Sequence, residues 1–273
     1  INEKHIVLIG DPEKRLREDP VRMLRAVRFA AKLGFTVDDS VSNAMRSQVD
    51  LLTNVPAARL FDEFLKLFQA GHAERTFDML HDYGLFAQLF PATNQEIEQD
   101  DTFADFVRAA LRNTDKRVAQ GLSVTPMFLL GVFFWAPARR LAEELRVEEK
   151  MSESQALSLA SYELAGQQQR RVSIPRRFTV PMREMIALQP RFTTTRGKRG
   201  MNLLEHRRFR AAYDFMMLLA EVGQFDPELA RFWTDVQNQS PDERADTFQI
   251  NRKPRARRRR RRRKRHSKAG KSA

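Results

Sequence analysis

The chain has 273 residues and is 42% hydrophobic, enough for a sizeable core in one large domain or a few small ones. It contains no cysteine, which excludes a disulfide framework and a zinc-thiolate site and makes a reducing, cytoplasmic home the default. The net charge of +13 is concentrated in two segments of an otherwise acidic body: residues 252–273 hold 14 Lys and Arg and no acid, and residues 170–210 hold 12 basic against two acidic residues. That distribution points to a polyanionic partner bound at particular places rather than to a diffusely sticky surface.

In chain order, "HIVLIG" (residues 5–10) reads as a strand. Ile1 is not an initiator methionine, so the chain is expected to be a piece of something longer. After Ile9 almost every segment reads helical. "PVRMLRAVRFAAKLG" runs from a proline start to a glycine stop, and "DDSVSNAMRSQVDLL" follows. "AARLFDEFLKLFQAG" puts Leu60, Phe61, Phe64, Leu65, Leu67 and Phe68 on a broad apolar face. "HAERTFDMLHDYGLFAQLF" is a further helix, and "ATNQEIEQDD" is expected to be a polar acidic loop. "TFADFVRAALRNTDKRVAQG" and "PMFLLGVFFWAPARRLAEELR" come next, the latter apolar nearly all round and so buried; no signal peptide is visible, and "MFLLGVFFWA" is too short to span a bilayer. "MSESQALSLASYELAGQQQRR", "IPRRFTVPMREMIALQPRF", "NLLEHRRFRAAYDFMMLLAEVG" and "PELARFWTDVQNQ" complete the helical series. No repeat of fixed period appears. The fold class is therefore all-α, a multi-helix arrangement with only the stub of a sheet at the N-terminus. Residues 252–273 have like-charge repulsion and no apolar anchor, so a disordered polybasic tail is expected.

One stretch carries chemistry: "LREDPVRMLRAVRFAAKLGF", residues 16–35. Asp19-Pro20 is a strong helix start, because the carboxylate accepts from free first-turn amides and proline at the first position loses no hydrogen bond. Arg22 lies three residues beyond Asp19 and can pair with it, Arg25 and Arg28 continue the row, and Val21, Met23, Leu24, Val27 and Ala31 can face a core. One reading is a cap, a salt bridge and a solvated basic edge. The other uses hydrogen-bond inventories. A carboxylate that only accepts, beside a guanidinium that only donates, matches the amino donor and ring-nitrogen acceptor on the Watson–Crick edge of adenine or cytosine. Guanine and uracil present the reverse order. Arg25 and Arg28 would then remain for phosphates.

Together with the preceding "IGDP", these residues resemble the end of the head and the neck helix of the class II nucleotidyltransferases. That family contains the bacterial poly(A) polymerases and the tRNA CCA-adding enzymes. Its EDxxR motif matches Glu18, Asp19 and Arg22. The resemblance implies that Asp19 and Arg22 read the incoming base while Arg25 and Arg28 help hold the nucleotide. "TRGKRGMNLLEHRRFRAAYDFMMLLAEVG", "FWTDVQ" and the arginine-rich tail resemble the bacterial poly(A) polymerase branch. The implied layout is the end of the head (1–15), neck and RNA-binding helices (16–91), a helical body (92–169), a basic helical domain (170–251) and the tail (252–273). The implied activity is addition of AMP from ATP to RNA 3′ ends, in messenger or precursor transfer RNA, with RNA-decay proteins as further partners. The family's chemistry is two-metal phosphoryl transfer on an Asp-x-Asp pair that binds Mg²⁺. No Asp-x-Asp occurs in this chain, and the head's upstream arginine motif is also absent. The chain is therefore expected to hold base-reading and RNA-binding surfaces without the metal site, and to be inactive alone. The alternatives are a CCA-adding enzyme, which Asp19 and Arg22 cannot distinguish, and a non-catalytic helical RNA- or ribosome-associated module.

Candidate RNA contacts in the basic segment are Arg170, Arg171, Arg176, Arg177, Arg196, Lys198, Arg199, Arg207 and Arg208, and in the tail Arg257, Arg258, Arg259 and Arg260. Phe178, Phe192, Phe209 and Tyr213 lie within or beside that segment, an interleaving that suits single-stranded RNA or, equally, core packing. Phe128, Phe133, Phe134 and Trp135 read as core. "TRGKRG" reads as a flexible phosphate-contacting loop. His81-Asp82 resembles a metal-binding doublet, but a surface or capping role accounts for it more simply. Arg59 reads as an i,i+4 partner of Glu63, with a brace for the neck helix as the second option.

Overall fold

The computed structural model describes residues 4–250. Its sheet is a two-residue parallel pairing of β1 (His5–Ile6) with β2 (Thr36–Val37), so the expected strand "HIVLIG" is paired only at its start. Val7 and Ile9 are exposed.

Between the strands lie α1 (Pro12–Glu18), begun by the Asp11 side chain, and α2 (Val21–Leu33). The five apolar residues expected to face the core from α2 are all buried, and the helix ends at Gly34. There follow α3 (Asp39–Ser47), a 3₁₀ turn over Val49–Asn54, and α4 (Ala57–Phe68). The single helix expected over residues 72–90 is two, α5 (Ala73–Asp82) and α6 (Leu85–Leu89). The break is at Gly84, whose φ of +73° is open to glycine and costly for other residues.

The acidic segment expected as a loop is instead α7 (Pro91–Gln99). Its apolar signal is thin because its inward face is largely polar: Thr93 and Asn94 are buried beside Ile97, and the Thr93 hydroxyl donates to the Phe133 carbonyl at 2.9 Å. A hydrophobic pattern cannot register a helix face that is satisfied by hydrogen bonds. The chain continues through α8 (Asp101–Ala119), α9 (Pro126–Glu149) and α10 (Glu153–Gln168). Then come α11 (Arg176–Leu188), a 3₁₀ turn over Gln189–Thr193, and α12 (Gly197–Leu204). Helices α13 (Phe209–Glu221), α14 (Pro227–Gln237) and α15 (Pro241–Thr247) complete it. "TRGKRG" is thus largely helical: Gly200 is buried within α12, where the Phe248 ring and the Thr194 carbonyl oxygen fill the space a Cβ would take. The helix expected to begin at residue 202 is broken over residues 205–208, dividing it between α12 and α13.

Helix α9 is the hub, packing on α7, α8, α10, α11 and α13. Phe133 on α9 meets Phe64 and Phe68 of α4 and Phe86 and Phe90 at ring-centroid distances of 5.0–6.2 Å. Edge-to-face contacts of this kind add to the burial of the rings. At Gly131 the Met185 methyl of α11 occupies the space a Cβ would take. Phe133, Phe134 and Trp135 are buried, and Phe128 is half-buried against Phe215. Phe192, Phe209 and Tyr213 also belong to the core. Phe192 and Phe209 pack around Trp233, whose indole N–H donates to the Phe192 carbonyl at 2.6 Å. The expected disorder of residues 252–273 lies outside the described residues.

Candidate nucleotide and nucleic-acid interface

The buried stripe of α2 fixes the direction in which its polar face points, and Arg22, Arg25 and Arg28, all half-buried, leave that face. Asp19 stands just before the helix. Its Oδ1 accepts from the Val21 amide at 3.2 Å, and its Oδ2 accepts from the Arg59 guanidinium at 2.8 Å. Asp19 and Arg22 are therefore not paired with one another; Arg22 lies 3.9 Å from Glu18. Arg59 reaches back to Asp19 rather than along α4 to Glu63, so the brace is the arrangement realised and the i,i+4 pair is not. The physical reason is that α4 packs on α2, and a guanidinium can meet a carboxylate across that seam as readily as along its own helix.

Partial burial pushes the Asp19 carboxyl up. The Arg59 hydrogen bond and charge, the Val21 amide and the Arg25 charge outweigh it and hold the group below the ordinary carboxylate range. The site so keeps an ionised acceptor beside cationic donors.

Glu63 is the residue that local pattern reading missed. Its side chain is only 2% exposed; one oxygen lies 3.0 Å from Lys66 and 3.7 Å from Arg25, and the other, Oε2, has no partner. A buried carboxylate persists only with cationic company, and here that company includes Arg25 of α2. The signal was in the sequence, as a glutamate on the apolar face of α4 between Leu60 and Phe64. Arg28 lies over the Phe29 ring at 4.9 Å.

The basic segment is spread over several surfaces. Arg170 and Arg171 follow α10, and Arg176 and Arg177 open α11, with Arg177 4.9 Å from the centroid of the Phe178 ring. This stretch joins α4 directly: the Ser173 amide donates to the Ala57 carbonyl at 3.0 Å, and Phe178 packs on Phe61 at 5.8 Å. Arg196, Lys198 and Arg199 are exposed at the start of α12. Arg207 and Arg208 converge on one acid, Glu184, with Arg208 Nε 2.8 Å from Oε2. Burial pushes Glu184 up, but the hydrogen bonds and charges of Arg208 and Arg207 win and lower it. The structure thus brings Arg207 and Arg208 together and leaves the others as separate surface groups. Arg257, Arg258, Arg259 and Arg260 lie outside the described residues. The His81 ring packs near Phe77, and the Asp82 carbonyl accepts from Arg46.

Comparison with known proteins matches the chain in two stretches. Residues 34–97 match the family described as "Probable RNA and SrmB- binding site of polymerase A", and residues 149–267 match "Polymerase A arginine-rich C-terminus". Poly(A) polymerase I of Haemophilus influenzae is 41% identical over 245 residues, covering 89% of this chain and 54% of that protein. The chain carries the RNA-binding and arginine-rich regions of the bacterial poly(A) polymerases. Another relative, poly(A) polymerase I of Escherichia coli, is 40% identical over 258 residues, 92% of this chain and 55% of its own length. The chain thus spans about half the length of the curated poly(A) polymerases it matches. Similarity to a CCA-adding enzyme of Geobacillus is confined to 98 residues, 36% of this chain and 24% of that enzyme, at 36% identity.

Proposed function

We propose that this chain is the base-reading and RNA-binding portion of a bacterial poly(A) polymerase that adds AMP from ATP to RNA 3′ ends in the cytoplasm. The observation that carries the reading is the neck site. An ionised Asp19 and the adjacent Arg22 sit at the start of a helix whose orientation is set by a buried stripe, the Arg59 brace and the Glu63–Arg25 contact. Asp19 accepts from the adenine amino group and Arg22 donates to its ring nitrogen. Arg25 and Arg28, next along the helix, meet the nucleotide's phosphates. The basic segment and residues 252–273 hold the RNA. The poly(A) polymerase branch is preferred over the CCA-adding branch because similarity to the former runs through the arginine-rich half of the chain, whereas the Geobacillus CCA-adding enzyme matches 36% of it.

Mg²⁺ would serve the family's phosphoryl transfer, but the donor set here does not fit it. The sequence has no Asp-x-Asp, and no group of three or more His, Asp or Glu among the described residues could hold a metal ion. The chain alone is therefore expected not to extend an RNA primer with labelled ATP and Mg²⁺; robust tail addition would sink that part of the reading. The base-reading role is tested by joining the chain to the amino-terminal part of the Haemophilus influenzae relative and substituting Arg22→Ala. A charge-assisted hydrogen bond is worth roughly 1.5–3 kcal/mol, so kcat/KM for ATP should fall one to two decades and discrimination against GTP and UTP should relax. Unchanged kinetics and discrimination, in a variant with an unchanged circular dichroism spectrum, would reduce Asp19 and Arg22 to a helix cap and a surface charge.

A further inference from the structure

A cavity of about 1020 Å³ opens between the end of α8, the start of α9 and the helices α13 and α14. Its floor is apolar, built from Met127, Phe128 and Leu218, with the exposed Met217 at its edge. Its rim carries five arginines, Arg117, Arg207, Arg208, Arg210 and Arg231, against two acids, Asp214 and Glu221. Arg210 is paired with Asp214 at 3.0 Å, and Arg207 and Arg208 are held by Glu184. Arg117 and Arg231 have no ion-pair partner among the described residues, and both are exposed. They come from α8 and α14, far apart in sequence, and both line this cavity.

An apolar floor under a cationic rim suits a ligand with flat apolar faces and an anionic edge that repeats along it. Nucleobases on a phosphate backbone have both, whereas an acidic peptide has the charge without the planar faces. The volume lies at or above the upper end of the roughly 300–1,000 Å³ usual for small-ligand sites, which favours an extended polymer segment over one small molecule. Glu184, which holds Arg207 and Arg208 at this rim, also lines a second cavity of about 400 Å³ with Arg183, Arg191 and His206, which places two further arginines beside the cleft.

We propose that this cleft holds a segment of single-stranded RNA, with bases against Phe128 and Met217 and phosphates on Arg117 and Arg231. The inference rests on the reading of the chain as RNA-binding and locates where, away from the neck helix, the RNA lies.

The test is binding of fluorescein-labelled oligoadenylate to the full chain and to the double variant Arg117→Glu/Arg231→Glu across a salt series, with thermal melting alongside. The variant is expected to bind about tenfold or more weakly. Its slope of log affinity against log salt should flatten by about 1.4, the value for two phosphates on a single strand. In the unsubstituted chain, an oligonucleotide carrying thiouridine should photo-crosslink to peptides containing Phe128 or Met217, a result that stands even if the double variant melts early. Unchanged affinity and slope, with crosslinks confined to α2 or to residues 252–273, would overturn the cleft and leave RNA binding intact. Absence of RNA binding by the unsubstituted chain would overturn both readings. Occupation of the cleft by an oligoglutamate peptide that RNA does not displace would assign it to an acidic protein partner instead.

Discussion

The neck site and the arginine-rich half both present guanidinium groups, but they hold them differently. Around α2, acids and arginines are cross-connected between packed helices: Arg59 spans from α4 to Asp19, and Glu63, buried in the seam, lies against Arg25. Around α13 and α14, Glu184 holds two arginines, while Arg117 and Arg231 stand without ion-pair partners among the described residues. Discrimination between bases needs donors and acceptors fixed to a fraction of an ångström, which cross-helix pairing supplies. Attraction to a phosphate backbone needs only charge at the right distance, and side chains that keep their freedom serve it. Arginines of the first kind should be coupled to folding, and those of the second kind should not.

The largest expected departure between the two tests that coupling at its loose extreme. Deleting residues 252–273 removes 14 positive charges. At about 0.7 per phosphate neutralised, the salt slope of RNA binding should flatten by several units, with little change in melting temperature. Coincident slopes for intact and truncated chains would assign RNA binding to the helical body alone.

A smaller effect is expected at the neck, and it should appear in stability. Arg59→Ala removes the cross-helix partner of Asp19, a carboxylate with 20% side-chain exposure, and should cost about 0.5–1 kcal/mol near neutral pH. Because folding lowers the pKa of Asp19 below its ordinary 3.8, the pair's contribution is fully present above that value. It is lost as pH falls through the lower folded value. Denaturant titrations of both proteins should therefore stay apart down to about pH 4 and converge only below it. Convergence already at pH 6 would show that Asp19 is not the group involved.

The smallest effect lies where the two kinds of arginine meet. Glu184→Gln should release Arg207 and Arg208 from their shared acid and remove one negative charge from the RNA-facing side. RNA affinity is expected to rise about two- to threefold at low salt, with a stability loss under about 1 kcal/mol. Weaker RNA binding in a folded variant would mean that Glu184 positions the two guanidiniums rather than restraining them, and would move this pair into the first class.

How much of this was legible beforehand depends on the range of the interaction. The start of α2 just after Pro20, its stop at Gly34 and its buried stripe of Val21, Met23, Leu24, Val27 and Ala31 follow from spacing and end signals confined to one helix. The family motif at Glu18, Asp19 and Arg22 is equally local. Helix α7 was hidden because its inward face is hydrogen-bonded threonine and asparagine, and the division between α5 and α6 because one glycine interrupts a continuous apolar pattern.

The sequence by itself determined an all-helical chain, the placement of charge in two segments, and the resemblance that the comparisons bear out. Tertiary structure alone decided which charge meets which. Arg59 had Glu63 one turn away and took Asp19; Glu63 lies against Arg25 and Lys66; Arg117 and Arg231 were brought to one rim. The reason is geometric. Backbone periodicity sets which residues of a helix share a face, but a long charged side chain chooses among every acid within its reach, and most of those arrive on neighbouring helices.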